Sequence, residues 1–181
     1  MHKWGEMDLE TVIEYVLQTK LVDLGPLTVI GHSSGGHLVG LAPSLKQVQR
    51  LILIASGTGT WRRYPLLQWP RLIAAWYVLF PFFTQTLGYV PGKLGIGHDL
   101  PKGVAEEWCR WCRSPDYLFS DPNLDTKNYR EYAGPISALA FSDDRGYAPR
   151  VMVEDLLSHF PNANIQLELI NPRDKGLAKI G

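Results

Sequence analysis

The stretch VIGHSSGGH, Val29 to His37, ends an apolar run at a glycine and sets Ser33 between Gly31 and Gly35 at G-x-S-x-G spacing. A serine so spaced can act as a nucleophile when a strand turns sharply into a helix and presents the hydroxyl at the bend. Positions two before and two after must then be small, or side chains collide with strand and helix. Gly31 and Gly35 meet that demand. The backbone N–H of Ser34 is then placed to stabilise an oxyanion, with the dipole of the new helix behind it. The competing reading is a glycine-rich turn with a passive serine.

A nucleophilic serine needs an acid and a base, in the chain order Ser, Asp or Glu, His. PISALAF (135–141) reads as a strand and runs into Ser142-Asp143-Asp144. Acids just past the carboxyl end of a parallel strand sit where such folds do chemistry, so Asp144 is the first candidate and Asp143 the second. Their alternative role is to cap the following helix. No histidine follows His159, which lies inside the helix before the last strand and is expected on its solvent side. His32 and His37 flank the serine within the turn and read as surface or local packing residues. A triad histidine is therefore absent, and a serine without its base is a weak nucleophile at neutral pH. Negligible esterase activity is expected of the chain as written.

The elements that must position these groups can be read from periodicity. Residues 6–20 carry apolar groups at Leu9, Val12, Ile13, Val16 and Leu17, the spacing of an amphipathic helix. LTVIG (27–31) reads as a short buried strand, HLVGLAP (37–43) as a helix stopped by Pro43, and VQRLILIAS (48–56) as a second strand. Residues 57–128 change character: rich in Trp, Pro and Gly, with no strand-like alternation. After them PISALAF, a helix from about Pro149 to Phe160, and the strand NIQLELI (164–170) restore the earlier rhythm. Strand–helix–strand alternation predicts an α/β fold with a parallel sheet. The expected organisation is a core at 1–56, an aromatic-rich helical cap inserted at 57–128, and the core continued at 129–181.

Composition narrows the function. Lys+Arg and Asp+Glu number 18 each, for a net charge of +0, which gives no electrostatic case for nucleic acid or an anionic membrane. Two cysteines are too few for a disulfide framework, and no apolar leader follows Met1, so a cytoplasmic protein is expected. Cys109-x-x-Cys112 has metal or redox spacing but no second pair, and Trp108 and Trp111 interleave it, so packing is the expected role and no metal or cofactor is implied. GKLGIG (92–97) has loop glycines without a preceding strand, which argues against a phosphate site. LIAAWYVLFPFF (72–83) is short for a membrane span and contains Pro81; a cap helix is favoured over membrane-surface contact.

The chain resembles the α/β-hydrolase superfamily, and within it bacterial predicted α/β hydrolases of serine-aminopeptidase-like type. The carrying residues are VIGHSSGGHLVGL (29–41), LILIASGTGTWR (51–62), LGYVPGKLGIGHDLPKGVAEEWCRWCRSPDYLF (87–119), FSDDRGYAP (141–149) and NPRDKGLAKIG (171–181). The resemblance implies Ser33 as nucleophile, the Ser34 N–H as oxyanion donor and Asp144 as acid; the extra Arg145-Gly146 keeps Asp143 in play. It also implies a histidine just after Gly181, and further strands with a second oxyanion donor before Met1, so about four of eight strands are present. The expectation is an incomplete serine hydrolase acting on a hydrophobic ester, thioester or amide. Its exposed sheet edge would favour self-association. The alternative is a non-catalytic relative that binds an apolar ligand or partner through its cap.

Overall fold

A computed structural model describes residues 1–19 and 25–178. They form two compact units: Gly59–Pro122 with Met1, and His2–Thr58 with Asn123–Gly181. Gly57, Thr58 and residues 123–128 thus group with the sheet, inside the boundaries expected from composition. Lys20 and Lys179–Gly181, which fall in the expected first helix and the tail, lie outside the described residues.

The larger unit is built on four parallel strands: β1 (Thr28–His32), β2 (Arg50–Ile54), β5 (Pro135–Phe141) and β6 (Asn164–Ile170), in the order β1-β2-β5-β6. The register runs straight across: Gly31 pairs with Leu53, Leu53 with Ala138, and Ala138 with Leu167. Alternation then sorts the faces. Leu51, Leu53, Ile136, Ala138 and Ala140 are all buried. Helix α7 (Arg150–Ser158) follows β5 with Met152, Val153, Leu156 and Leu157 buried, as parallel crossovers require. Among the described strands β1 is an edge, and its Ile30 is 63% exposed.

Helix α1 (Glu10–Gln18), preceded by a wider π-type turn at Trp4–Leu9, is held by its first acid. The Glu10 carboxylate accepts both the Ser44 N–H and the Ser44 hydroxyl, at 2.8 and 2.6 Å. The helix expected over 37–43 breaks up: α2 (Ser34–His37) is one turn, followed by 3-10 turns at Val39–Leu41 and Pro43–Gln47. The segment is held by contacts with residues 128 and 129. Gly40 lies against the ring of Tyr129, leaving no room for a Cβ, and the Asn128 side chain donates to the Ala42 carbonyl. Tyr129 belongs to α6 (Lys127–Glu131).

The smaller unit holds α3 (Trp69–Ala74), α4 (Phe80–Thr86) and α5 (Lys102–Arg113). It also holds a ribbon that the sequence reading lacks: β3 (Tyr89–Val90) pairs antiparallel with β4 (Leu100–Pro101). Two-residue strands are too short to show alternation. Between α3 and α4 the backbone widens into a π-type turn at Ala75–Leu79. In an i to i+5 pattern the Trp76 carbonyl would look to Pro81, which has no N–H. It accepts instead from the Cys109 thiol at 2.8 Å and from the Arg113 guanidinium. Trp76 stacks edge-on against Trp108 and tilts against Phe80. Cys109 and Cys112 are buried free thiols, and burial pushes Cys109 up to about 11 and Cys112 higher than usual. Both are held protonated in packing.

Candidate active site

Ser33 stands where the parallel ladder ends. Its N–H donates to the Ile54 carbonyl at 3.0 Å, continuing the β1–β2 pairing one residue past His32. There the backbone swings to φ 50°, ψ −120°. A non-glycine residue in that region stores about 1–3 kcal/mol and persists only where its surroundings enforce it. Enforcement comes from both sides. The Ser33 carbonyl accepts from the N–H groups of Gly36 and His37, at 3.0 and 3.3 Å, which closes the first turn of α2. Ser33 itself is exposed and Ser34 half-buried.

The steric demand at the turn falls on a different pair of glycines from the one the spacing suggests. A Cβ on Gly31 would sit 2.5 Å from the Gly36 Cα and 2.8 Å from its nitrogen. A Cβ on Gly36 would sit 2.5 Å from the Ser56 Cβ and closer still to its hydroxyl oxygen. Around Gly35 nothing lies within 4 Å. Gly31 is thus required as expected, while the second requirement belongs to Gly36, because the neighbour that crowds the helix is Ser56 beyond the end of β2. Ser56 is fully buried and its hydroxyl bonds to the Ile54 and Gly31 carbonyls, at 3.1 and 3.3 Å. Ala55, just before it, also has positive φ, 46°. Ser56 and Gly36 are the site residues the sequence reading missed. The small run Ala55-Ser56-Gly57 at the strand end was the available signal.

The helix after Ser33 is a single four-residue turn, so a long helix dipole does not stand behind the Ser34 N–H. What the turn provides is the Ser34 N–H just past β1, without an i−4 partner in the helix because it opens it.

His37 is 5% exposed and engages the Gly57 backbone. Burial pushes its pKa down to about 4, so it is neutral at pH 7. The Tyr129 hydroxyl donates to its carbonyl. It is a packing residue, as the sequence suggests. His32 is exposed as the last residue of β1. His159 departs from expectation. It caps α7, its N–H donating to the Leu156 carbonyl at 3.2 Å, and it is half-buried with Nε2 screened from water, not turned to solvent.

Asp143 and Asp144 follow β5 at the same carboxyl edge of the sheet as Ser33, two strands away, or about 10 Å at usual strand spacing. Asp144 is locked by its own loop. One oxygen accepts the N–H groups of Gly146 and Tyr147, at 3.1 and 2.9 Å, and the other accepts Ala148 at 3.0 Å. A carboxylate has about four acceptor positions, so the second oxygen keeps capacity for another donor. Asp143 instead lines a cavity of about 440 Å³ with Ser142, Arg145, Asn171 and Arg173. Ser33 does not line that cavity.

A parallel α/β sheet with a strained serine at the end of one strand and an acid past another defines a class of hydrolase-like folds. The chain belongs to the alpha/beta hydrolase family, whose model matches residues 2–170. Among solved structures it is similar to a soluble variant of monoglyceride lipase from Saccharomyces cerevisiae in complex with a substrate analog. There the TM-score is 0.59 and the identity 15%, over 92% of this chain and 59% of that one. A monoacylglycerol lipase from Paleococcus ferrophilus aligns with TM-score 0.50 and 11% identity, over 92% of this chain and 65% of that one. The chain therefore spans about three fifths of the lipase chains it resembles in fold. No curated protein matches it.

Proposed function

We propose that this chain carries the nucleophile and acid of a serine hydrolase, with Ser33 attacking a carbonyl carbon to form an acyl-enzyme. The observation that carries the reading is the positive φ of Ser33 at the strand-to-helix turn, enforced by Gly31, Gly36 and Ser56. Strain of that kind is maintained at sites where a side chain must be presented. In the proposed mechanism the Ser33 hydroxyl loses its proton to a histidine base as its oxygen adds to the carbonyl. The Ser34 N–H donates to the resulting oxyanion, whose collapse breaks the bond to the leaving group. That group departs with the proton held by the base. Water, deprotonated by the same base, then hydrolyses the acyl-enzyme and restores the Ser33 hydroxyl. Asp144, already fixed by three N–H groups, holds the base in the correct tautomer through its second oxygen. Asp143 remains the second choice, facing the cavity.

The base and the second oxyanion donor are left unassigned in this chain: His37 is buried and neutral, and the chain spans about three fifths of the lipase chains it resembles in fold. The substrate class, an ester or related acyl compound with an apolar group, is supported by the aromatic-rich composition of residues 59–122 and by the lipase names among similar folds. Fold alone does not select a substrate. Esterase assays on the protein carrying this chain test the reading: short-chain ester turnover should disappear in Ser33→Ala, and turnover that survives the substitution defeats it.

A further inference from the structure

The helical stretch Leu66–Thr86, 21 residues, is long and apolar enough to cross a membrane by length and composition. Its placement argues against crossing. Leu72, Trp76, Phe80 and Thr84, spaced by four, form one buried stripe within the smaller unit. A spanning helix would have to tear that stripe out of its packing against Trp108 and the Arg113 guanidinium.

The opposite face has the unusual property. Ile73, Tyr77, Val78 and Phe82 turn outward at 37%, 45%, 60% and 57% exposure, and Leu66 and Leu67 precede them at 71% and 94%. A surface helix ordinarily turns charged or polar residues to solvent, yet from Leu72 to Phe83 this one carries none. Both faces therefore require an apolar environment, and the protein supplies it to one of them.

The whole chain's charge is balanced, but its distribution is not. From Leu24 to His98 the sequence contains no Asp or Glu. Arg63 and Arg71 lie before and within the first turns of the helix and Lys93 lies beyond its other end, all exposed; Arg62, also exposed, donates to the Arg113 carbonyl and lies over the Trp61 ring. Every acid of the smaller unit lies later, at Asp99, Glu106, Glu107, Asp116 and Asp121. Asp121 already accepts from Arg110 and Trp111. Exposed aliphatic and aromatic side chains, arginines at one end and no carboxylate along the segment match a helix lying in the plane of an anionic bilayer surface. Tyr77, 45% exposed, supplies an amphipathic ring of the kind that favours the headgroup boundary.

We propose that the outward face of Leu66–Thr86 docks on anionic lipid bilayers, seating Leu66, Leu67, Ile73, Val78 and Phe82 among the acyl chains and Arg63 and Arg71 among the headgroups. This association does not depend on the hydrolase reading, because it needs no nucleophile.

Flotation of the protein with phosphatidylcholine vesicles, with and without phosphatidylserine, tests it. The chain should float with the anionic vesicles, several-fold less with phosphatidylcholine alone, and less again as salt is raised. Val78→Asp with Phe82→Asp should reduce flotation at least tenfold while far-UV circular dichroism is unchanged. Leu67→Asp, at a position 94% exposed and so without packing to disturb, should reduce it severalfold. Arg71→Gln should weaken anionic binding about fivefold, the usual effect of one basic residue at such a surface. Val12→Asp, on an exposed apolar position of α1, should change nothing. The proposal is overturned by absence of flotation, by flotation that Leu67→Asp and the double variant leave intact, or by equal loss in Val12→Asp. Lipid-free dimerisation abolished by the same outward-face variants overturns it too, since the face then pairs two copies of the chain.

Discussion

At the turn around Ser33, atoms approach so closely that a single added methyl on Gly31 would lie 2.5 Å from backbone. Along Leu66–Thr86, large apolar side chains stand exposed, Val78 at 60% and Leu67 at 94%. The first region is over-determined: two hydrogen bonds to the Ser33 carbonyl, one from its N–H, and a buried serine wedged beside Gly36. The second is under-satisfied, with one stripe packed and the other bare. Over-determination is what holds a residue in a costly conformation, and an unsatisfied apolar face is what draws a second phase or partner. The two regions thus point to different kinds of function, presentation of a reactive group and attachment to a surface.

Substitutions can break this contrast. The largest expected effect after Ser33 itself is on the acid. Asp144→Asn should lower kcat about 10³–10⁴-fold in ester hydrolysis by the protein carrying this chain, because the amide cannot hold the base in its working tautomer. Asp143→Asn should stay within about tenfold, since no triad role is then removed. Reversal of the two would move the acid to the cavity side.

Next comes the crowding at the turn. Gly36→Ala should destabilise the fold by about 1–3 kcal/mol in urea melts, the usual cost of overpacking, with Ser56 the group that must give way. Gly31→Ala should do at least as much because its obstacle is backbone. Gly35→Ala should be neutral, or stabilising by up to about 1 kcal/mol, for an open helical position. Equal losses at Gly35 and Gly36 would contradict the packing described at Ser56.

His37 gives a pH signature to the over-determined side. Its folded pKa, about 4, lies below the ordinary value of 6.5, so between those limits the unfolded chain binds the extra proton. Its contribution to stability is complete above about pH 6.5 and falls as pH drops toward 4, with a slope of at most about 1.4 kcal/mol per pH unit. Urea melts across that window should show the slope, and His37→Gln should remove most of it. A slope unchanged by the substitution would show that other groups carry the acid sensitivity.

β1, β2 and the strand–serine–helix turn were legible from short apolar runs closed by small residues, as at Gly31 and Ser56, and β6 from its alternation of apolar and polar residues. The acid pair was legible from its place after β5. What was not legible depends on contacts between distant positions. Gly36 outranks Gly35 only because Ser56 lies against it. The close approach of Tyr129 to Gly40, just past the end of α2, joins positions 89 residues apart in the sequence. The run LIAAWYVLFPFF has no periodicity, so its inward stripe became visible only through the partners that bury Leu72, Trp76 and Phe80. The half-burial of His159 likewise follows from tertiary packing and not from its position in α7.

The claim that Ser33 is a presented nucleophile is tested most directly by a fluorophosphonate probe on the protein carrying this chain, with the modified peptide read by mass spectrometry. The account predicts one adduct on Ser33 and none in Ser33→Ala. A probe adduct that persists in Ser33→Ala, or that maps to another serine in the unaltered protein, would contradict it.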